Sequence, residues 1–502
     1  MQKNVLEWLE ATVNRLPDKV AFEDVDNTIT FKEISDRAKA IGSALVEKVD
    51  VRQPIIVISG RNVYTPTIFL GIVYSGCFYA PLDTSAPIVR LNKIIENTKP
   101  ALIIADTENL EFAKTLTYDC ELLVAEDLVE TEINEDKLNA VREQAKETDP
   151  LYIIFTSGSS GVPKGVQTAH ISLITYINAY SKVMGIDEND KFGNQSPLDY
   201  IAAIRDIYLP LKFGASTFII PKKYFSIPKD LFDILNEKKV TAIGWSVSAL
   251  TLPTKLGAFE HTKPEYLKKV CFSGSVMPCS TLRVWQEELP DTLFVNQYGP
   301  TEATASCTYY VVNDKVEDND VLPIGKAYDG YEIFLLNDDN TETKSGEIGE
   351  ICVRGKAVTM GYYNDPERTA QAFVQNPLNS EKETIYKTGD LGHIREDGEL
   401  MFHGRKDRQI KHLGHRVELG EIEEAAKRID NVSECAALYK AEKELIYLYY
   451  SGDATTKEIA KELRATLPGF MVPRKFEQLD NMPHLPNGKI DMQSLKKLLE
   501  EN

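Results

Sequence analysis

Several features that would assign the chain to a specialised class of protein are scarce in its sequence. The 502 residues include only seven cysteines, which are scattered and form no C-x-x-C pair. This pattern argues against a disulfide framework or a zinc site and is typical of reduced thiols in a cytoplasm. No apolar run reaches the ~18 residues that a membrane-spanning helix needs, and the N-terminal residues do not resemble a signal peptide. We therefore predict a cytoplasmic protein that does not enter a membrane.

Positive charge is scarce as well. Lys and Arg number 57 against 76 Asp and Glu, which gives a formal net charge of −19 at pH 7. Such an excess argues against general binding to nucleic acids or to anionic membranes. The whole excess lies in residues 1–404, because residues 405–502 carry 17 basic and 17 acidic side chains. A neutral C-terminal part is typical of a separate module, although ordinary surface variation would produce the same contrast.

Short apolar runs alternate with helical patterns in the first 312 residues. The runs that predict strands lie at residues 55–59, 101–105, 121–124, 151–155, 216–220, 242–245, 269–272 and 292–295. This alternation predicts an α/β fold with largely parallel sheets. Shorter strands and turns after about residue 313 predict a small β-rich subdomain at 313–404. The large N-terminal domain would thus span residues 1–404, and a polar, glycine-led boundary would precede a smaller α+β domain at residues 405–502.

The most informative motif is T-S-G-S-S-G-V-P-K-G at residues 156–165, directly after a predicted strand. Glycines let the backbone approach a ligand, backbone N–H groups and hydroxyls can hold phosphate oxygens, and a lysine adds positive charge. The spacing differs from the common phosphate loop, and no Ser or Thr follows the lysine to hold a metal. The motif predicts a phosphate-binding loop, with a flexible connection as the alternative. Its candidate binding residues are Thr156, Ser157, Gly158, Ser159, Ser160, Gly161 and Lys164.

Three further motifs carry side chains suited to a nucleotide. Residues 296–302, N-Q-Y-G-P-T-E, offer a ring for a base, a hydroxyl for a phosphate and a carboxylate for Mg²⁺. Residues 386–390, Y-K-T-G-D, end in a carboxylate suited to ribose hydroxyls. Residues 486–491, P-N-G-K-I-D, place one lysine on a turn. Each motif alone could be an ordinary turn or helix cap, so the indication of a nucleotide site comes from their joint presence and order.

With these motifs in place, the chain resembles the adenylate-forming superfamily of acyl-CoA synthetases, luciferase and nonribosomal peptide synthetase adenylation domains. The resemblance runs from about residue 31 to the end and includes Y-A-P-L-D at residues 79–83. The string R-V-E-L-G-E-I-E at residues 416–423 resembles the branch that loads carrier proteins. The resemblance implies an enzyme that uses ATP and Mg²⁺ in two half-reactions. A carboxylate first attacks the α-phosphate of ATP, and a thiol then displaces AMP to form a thioester.

The resemblance also implies roles for single residues in the nucleotide site. Tyr298, between Gln297 and Gly299, would lie on adenine. The hydroxyl of Thr301 would contact the α-phosphate, and Glu302 would hold Mg²⁺. The implied partners of the ribose and of the reacting groups are Asp390 with Arg405 nearby, and Lys489, which would bridge the substrate carboxylate and the α-phosphate.

The same resemblance implies that the C-terminal domain is mobile. Asp407 would be the hinge about which this domain rotates between the two half-reactions. Lys411 and Gly414 would lie near the thiol tunnel in the second of these states. Lys164 would then orient the departing pyrophosphate, whereas Lys489 would arrive from the other domain for the adenylation chemistry.

The acid-binding residues depart from those of amino-acid-activating members. Such members place an aspartate for the α-amino group five residues before an acidic-apolar-aromatic triplet, which is here residues 206–208. That position holds Ile201, behind Tyr200, and Asp199 would need a local shift to serve. An ammonium group without a counter-charge is costly in a pocket. The other implied pocket residues are Ala202, Arg205, Gly244, Cys271, Ser273, Gln297, Ala305 and Ser306.

These positions predict a small carboxylic acid without an α-amino group, such as a hydroxybenzoate-like aryl acid. Arg205 could pair with a negative or phenolic group of the acid, or it could be a surface or second-layer residue. An amino acid held by a shifted Asp199, including a β-amino acid or D-alanine, is the first alternative. The acceptor would be the phosphopantetheine of a separate carrier protein, with CoA as the alternative. A degenerate nucleotide-binding regulatory protein is the non-enzyme alternative.

Overall fold

The computed structural model describes residues 2–158, 162–485 and 489–501, and two large sheets dominate this part of the chain. The larger sheet is parallel in its centre and antiparallel at both edges. Its strands, in spatial order, are Lys326–Ala327, Thr308–Val311, Leu293–Tyr298, Lys269–Ser273, Ala242–Ser246, Lys191–Asn194, Ser216–Ile219, Val20–Glu23 and Thr28–Thr30.

The second large sheet is parallel except for an antiparallel extension at one edge. Its strands, in spatial order, are Gly361–Tyr362, Lys164–Ala169, Pro150–Thr156, Phe78–Pro81, Pro54–Ile58, Leu102–Ala105 and Glu121–Val124. The predicted phosphate loop therefore joins two antiparallel neighbours, Pro150–Thr156 and Lys164–Ala169. This pairing holds both ends of the loop on the sheet.

Three smaller sheets follow along the chain. The first is antiparallel and consists of Tyr331–Leu336, Gly349–Gly355, Thr384–Ile394, Phe373–Gln375 and Leu400–Arg405. The second is a hairpin of Gln409–His412 and His415–Glu418. The third contains Glu434–Lys440, Leu445–Ser451 and Lys475–Gln478. The hairpin was not predicted, because its sequence Q-I-K-H-L-G-H-R-V-E has only two aliphatic residues at strand positions.

Helices cover the sheets, and their sequences explain where several of them begin. Phe31–Leu45 begins at a capping box in which Thr30 and Glu33 satisfy each other's backbone N–H groups. Every residue of Thr65–Tyr74 is buried, as its almost wholly apolar sequence predicts. The other helices are Leu6–Arg15, Ile88–Thr98, Leu110–Ala113, Ala125–Leu128, Glu135–Gln144, His170–Met184, Ala203–Phe213, Pro228–Glu237, Val247–Lys255, Cys279–Glu288, Pro366–Ala372, Leu419–Ala426, Thr456–Thr466 and Met492–Glu501.

The hydrophobic clusters separate the C-terminal part from the rest of the chain. The largest cluster joins residues from Val5 to Leu400, whereas two others consist entirely of residues after 409. The predicted α/β class, with a large N-terminal domain and a smaller C-terminal one, is confirmed. The boundary at residues 404/405 stays a prediction.

Two global features bear on the environment of the protein. Among the helices of the described residues, none has the length and apolar character to cross a bilayer. All seven cysteines carry free thiols, and six of them are buried.

Candidate active site

A cavity of about 100 Å³ lies at the carboxyl ends of three parallel strands of the larger sheet, Ala242–Ser246, Lys269–Ser273 and Leu293–Tyr298. Ligands of open α/β sheets bind at such strand ends. The hairpin of residues 409–418 closes the opposite side. The predicted residues that line this cavity are Tyr200, Ile201, Ala202, Arg205, Ser273, Gly299, Thr301, Ala305, Ser306, Asp390, Arg405, Lys411 and Gly414.

The described residues of the predicted phosphate loop contact the C-terminal part of the chain. The Gly158 N–H donates to a carboxylate oxygen of Glu421 at 3.3 Å, and the Lys164 ammonium lies 3.5 Å from the Glu418 carboxylate. The Ser157 hydroxyl donates to the Arg416 carbonyl at 2.7 Å. A Cβ at Gly158 would come within 2.1 Å of a carbonyl oxygen, so the turn requires glycine. Ser159, Ser160 and Gly161 lie outside the described residues.

Glu302 is the most enclosed acid of the site. It lies on the short turn Thr301–Ala303 with no exposed surface, and its carboxylate accepts from Arg416 at 2.8 and 2.9 Å and from the Tyr362 hydroxyl at 2.7 Å. Burial alone would raise its pKa, but the positive charges of Arg416 and Lys164 outweigh burial and lower the pKa to about 2. The carboxylate is therefore ionised at neutral pH.

The surroundings of Glu302 show whether its carboxylate fits the predicted role as a ligand of Mg²⁺. In the part of the chain that the structure describes, no group of three or more His, Cys, Asp or Glu side chains could hold a metal ion. Mg²⁺ in nucleotide sites needs only one or two protein carboxylates, because phosphates and waters complete its shell. The ionised carboxylate of Glu302, which follows the cavity-lining Thr301, fits that requirement. In this arrangement the cation that pairs with Glu302 is the Arg416 guanidinium.

The predicted ribose and adenine residues form one hydrogen-bonded group. The Tyr298 hydroxyl donates to Asp390 at 2.5 Å, and Arg405 donates to the other oxygen of Asp390 at 2.6 Å. Arg405 also holds the predicted hinge residue Asp407 through two further bonds of 2.6 and 2.7 Å. The Lys411 ammonium lies 5.4 Å from the centre of the Tyr298 ring, where a base would stack. Burial lowers the pKa of Lys411.

The predicted thiol-tunnel residues and the predicted catalytic lysine of the C-terminal part lie in different places. Gly414 approaches the strand ends so closely that its carbonyl accepts from the Tyr200 hydroxyl at 2.9 Å, and a Cβ there would lie 3.0 Å from Ser246. Lys489, in contrast, has an exposed side chain and is not among the residues that line the cavity. The structure therefore brings together the predicted nucleotide residues and the hairpin, but not Lys489.

Arg205 lies inside the acid-binding side of the cavity. Its side chain is only 2 % exposed and donates to the Gln297 side chain at 2.9 Å and to the Gly244 carbonyl at 3.1 Å. It also contacts the Cys271 sulfur at 3.5 Å. The surface alternative for Arg205 is therefore wrong. The sequence of the helix Ala203–Phe213 is amphipathic, which is typical of a helix with one face in solvent. In the structure, residues 203–211 of this helix are all buried between neighbouring elements.

The remaining pocket residues divide into two groups. Tyr200, Ile201, Ser273, Ala305 and Ser306 line the cavity, whereas Gly244 and Cys271 lie behind Arg205.

Asp199 is not among the residues that line this cavity. It faces neighbouring cavities that also contain Asp83 and Lys222, where burial and the charge of Asp83 raise its pKa to about 7. The structure does not bring Asp199 together with Ile201 and Arg205.

Sequence reasoning missed several residues that touch the site. Arg416, Glu418 and Glu421 belong to the string at residues 416–423. That string indicated the family, but no binding role was predicted for its charged side chains. Tyr362, whose hydroxyl donates to Glu302, was not identified as a site residue either. A signal was present, because the string at residues 416–423 carries one Arg and three Glu, whose charges could pair with charged residues of a nucleotide site.

Comparisons with known proteins agree with this geometry. A family model described as AMP-binding enzyme matches residues 9–363. The chain is 33% identical over 512 aligned positions to a D-alanine–D-alanyl carrier protein ligase of Bacillus cereus (strain ATCC 10987 / NRS 248), and the alignment covers 99% of both chains. The same ligase of Bacillus anthracis is also 33% identical, with the same coverage.

Solved structures share the fold. The Vibrio cholerae adenylation domain AlmE in complex with glycyl-adenosine-5'-phosphate has a TM-score of 0.86 and 21% identity, and the match covers 100% of this chain and 98% of that one. The o-succinylbenzoate CoA synthetase of Bacillus subtilis has a TM-score of 0.84 and 20% identity, with coverage of 99% and 98%. Because the family model matches most of the chain and the ligases are a third identical along their whole length, the chain belongs to the AMP-binding enzyme family and is an AMP-forming ligase.

Proposed function

We propose that the protein activates a small carboxylic acid with ATP and transfers the acyl group to the phosphopantetheine thiol of a separate carrier protein. In the first step a carboxylate oxygen attacks the α-phosphorus, and the bond to pyrophosphate breaks. In the second step the thiol sulfur attacks the acyl carbon, its proton is lost, and AMP leaves. Neither step needs a nucleophile from the protein, because positioned positive charge stabilises the developing phosphate charge.

The observation that carries the proposal is the charge complementarity around the phosphate loop. The Gly158 N–H and the Lys164 ammonium each face a carboxylate, and the Glu302 carboxylate faces a guanidinium. The first two groups would hold phosphates, and Glu302 would hold Mg²⁺, which neutralises phosphate charge. Asp390 would then bind the ribose and Tyr298 the adenine. We further propose a cytoplasmic location, which the seven free thiols favour.

The carrier protein is favoured over CoA by the relatives. The ligases of Bacillus cereus and Bacillus anthracis are named for a carrier protein, and they are similar to this chain from end to end. A CoA acceptor is the alternative, which the second half-reaction can distinguish directly.

The acid is proposed to lack an α-amino group. Ile201 lines the cavity where an aspartate would neutralise an ammonium, and Asp199 lies outside that lining. A buried ammonium without a counter-charge is strongly disfavoured. The second candidate is an amino-acid ligase, because the 33% identical relatives are named for D-alanine.

An ATP–pyrophosphate exchange assay across amino, β-amino, aryl and short aliphatic acids tests this function. We expect exchange with a compact acid that has no α-amino group, followed by loading of a holo-carrier protein. A preference for D-alanine would support the second candidate. Loading of CoA with no loading of carriers would contradict the proposed acceptor, and a lack of exchange with every acid would contradict the activity.

A further inference from the structure

Arg205 is a buried cation whose direct partners among the described residues are uncharged. Its guanidinium is 2 % exposed and lines the cavity. Within the described residues, no carboxylate lies within ion-pair distance of its nitrogens, whereas the more exposed Arg416 has Glu302 at 2.8 Å. A charge removed from water without a partner is costly.

The partners of Arg205 are all uncharged. They are the Ala202 carbonyl at 3.3 Å, the Gly244 carbonyl at 3.1 Å, the Gln297 side chain at 2.9 Å and the Cys271 sulfur at 3.5 Å. A guanidinium has five N–H donors, so these four acceptors leave one of them over. The ring of Tyr180 lies 5.7 Å from the guanidinium carbon and adds another neutral contact.

The neighbouring acid does not fill this gap. Asp206 follows Arg205 on the same helix, and its charge acts on Arg205, but it makes no ion pair with Arg205 and accepts instead from the Asn194 side chain at 2.8 Å. Ser273, Ala305 and Ser306, which line the same part of the cavity, bring small or neutral side chains. The positive charge therefore faces the space in which the acid would bind.

We propose that the acid activated by this enzyme carries a second carboxylate, and that Arg205 binds it. The inference rests on the proposed function, because it concerns the substrate of that same cavity. A carboxylate of the substrate would accept the remaining guanidinium N–H group and neutralise the buried charge. The small side chains of Ser273, Ala305 and Ser306 favour a short diacid in this part of the cavity.

The decisive experiment compares matched acids on the unaltered protein. ATP–pyrophosphate exchange is measured with butanoate against butanedioate, with pentanoate against pentanedioate, and with glycine and D-alanine. We expect kcat/KM to favour a diacid over its monoacid by about 10² or more, because a site built for a hydrogen-bonding group rejects the analogue that lacks it. A preference for a monoacid or an amino acid overturns this inference and leaves the proposed adenylation intact. A lack of exchange with every acid overturns the proposed function and this inference together.

Variants at Arg205 separate recognition from stability. Arg205→Met removes the charge at similar length, and we expect the diacid-to-monoacid ratio to fall by about 10². Arg205→Lys keeps the charge without the fork and should retain an intermediate ratio. If Arg205→Met does not fold, Arg205→Lys still allows the diacid-to-monoacid ratio to be measured on a variant. An unchanged ratio in either folded variant overturns the role of Arg205.

Arg61 provides a matched control. It is another largely enclosed arginine, lines different cavities and donates to Asn194 at 2.7 and 2.8 Å. Within the described residues it also has no carboxylate at ion-pair distance. Arg61→Met should lose stability without any change in the diacid-to-monoacid ratio, whereas a matching fall in that ratio would overturn a specific contact at Arg205.

Discussion

The hairpin of residues 409–418 and the turn that carries Lys489 belong to the same C-terminal part, yet they meet the rest of the molecule differently. The hairpin places Lys411 against the Tyr298 ring and Gly414 against Ser246. The side chain of Lys489 is exposed. One small domain thus has two lysine-bearing regions, and only one of them lies at the cavity.

This difference teaches how a single cavity can serve two reactions. We propose that rotation about Asp407 exchanges the two regions, so that Lys489 is present for adenylation and the hairpin for thioester formation. In the described arrangement the hairpin lines the cavity and Lys489 does not. Asp407 is well placed for a hinge, because its carboxylate ties Arg405 to the first residue of the hairpin, Gln409.

The strongest way to break this comparison is to remove Lys489. We expect Lys489→Ala to lower ATP–pyrophosphate exchange by about 10²–10³, because it removes positive charge from the developing phosphate charge. Transfer from preformed acyl-AMP should persist, because Lys489 does not act in the arrangement proposed for thioester formation, in which the hairpin lies at the cavity. Exposed Lys496 on the following helix provides the control variant Lys496→Ala. Near-normal exchange in Lys489→Ala would remove this lysine from the reaction.

The opposite result is expected at Gly414. An added Cβ would lie 3.0 Å from Ser246, at a backbone φ of +81° that favours glycine. We expect Gly414→Ala to lower thioester transfer by about 10–10² and to preserve exchange. The reason is that Gly414 must approach Ser246 closely only when the hairpin is docked at the cavity.

Gly346 is a matched control for that substitution. It has the same φ of +81°, but nothing lies within 4 Å of an added Cβ. Gly346→Ala should leave transfer and exchange in their normal ratio. Equal losses of both half-reactions in Gly414→Ala would contradict a role confined to the docked state.

Arg416 tests what holds the hairpin in place. Arg416→Met leaves Glu302 buried without its cation, so the docked arrangement becomes less favourable. We expect exchange to rise and transfer to fall, each by about 2–5-fold, as the population shifts towards the other arrangement. The exposed Arg428 provides the control Arg428→Met. A parallel rise or fall of both rates would argue against a conformational shift.

The smallest effect concerns acid. The pKa of Glu302 is lowered from 4.5 to about 2, so its contribution to stability is present above pH 4.5 and is lost as the pH falls through about 2. Urea unfolding should show that the advantage of the unaltered protein over Glu302→Gln is constant from pH 7 to 5.5. It should shrink by on the order of 1 kcal/mol between pH 4.5 and 3.5. An advantage that grows on acidification would contradict the ion pair.

Much of the fold could be predicted from local pattern. The predicted strands at residues 242–245 and 269–272 are observed as Ala242–Ser246 and Lys269–Ser273, and both are buried in their centres. Such elements are readable because buried strands and helices concentrate apolar residues. The hairpin at 409–418 was missed because it contacts a polar cavity and has few apolar residues.

The site could be predicted in its residues but not in its arrangement. Glu302, Asp390 and Arg405 were identified from motifs, yet the sequence does not tell which side of the C-terminal domain faces them. Arg205 is a second case in which the sequence identifies a residue but not its surroundings. Its burial depends on elements distant in sequence, among them the strands that contain Gly244 and Gln297.

The segment from Arg416 to Glu421 has a further consequence for how nucleotide affinity is understood. It presents a cation to Glu302 and carboxylates to Lys164 and Gly158. If these three groups bind a magnesium-bound triphosphate as proposed, the segment would be a tethered competitor of that ligand, at a high effective concentration that no dilution can lower. The apparent affinity for ATP would then depend on the proposed hinge equilibrium as well as on the contacts of the phosphates.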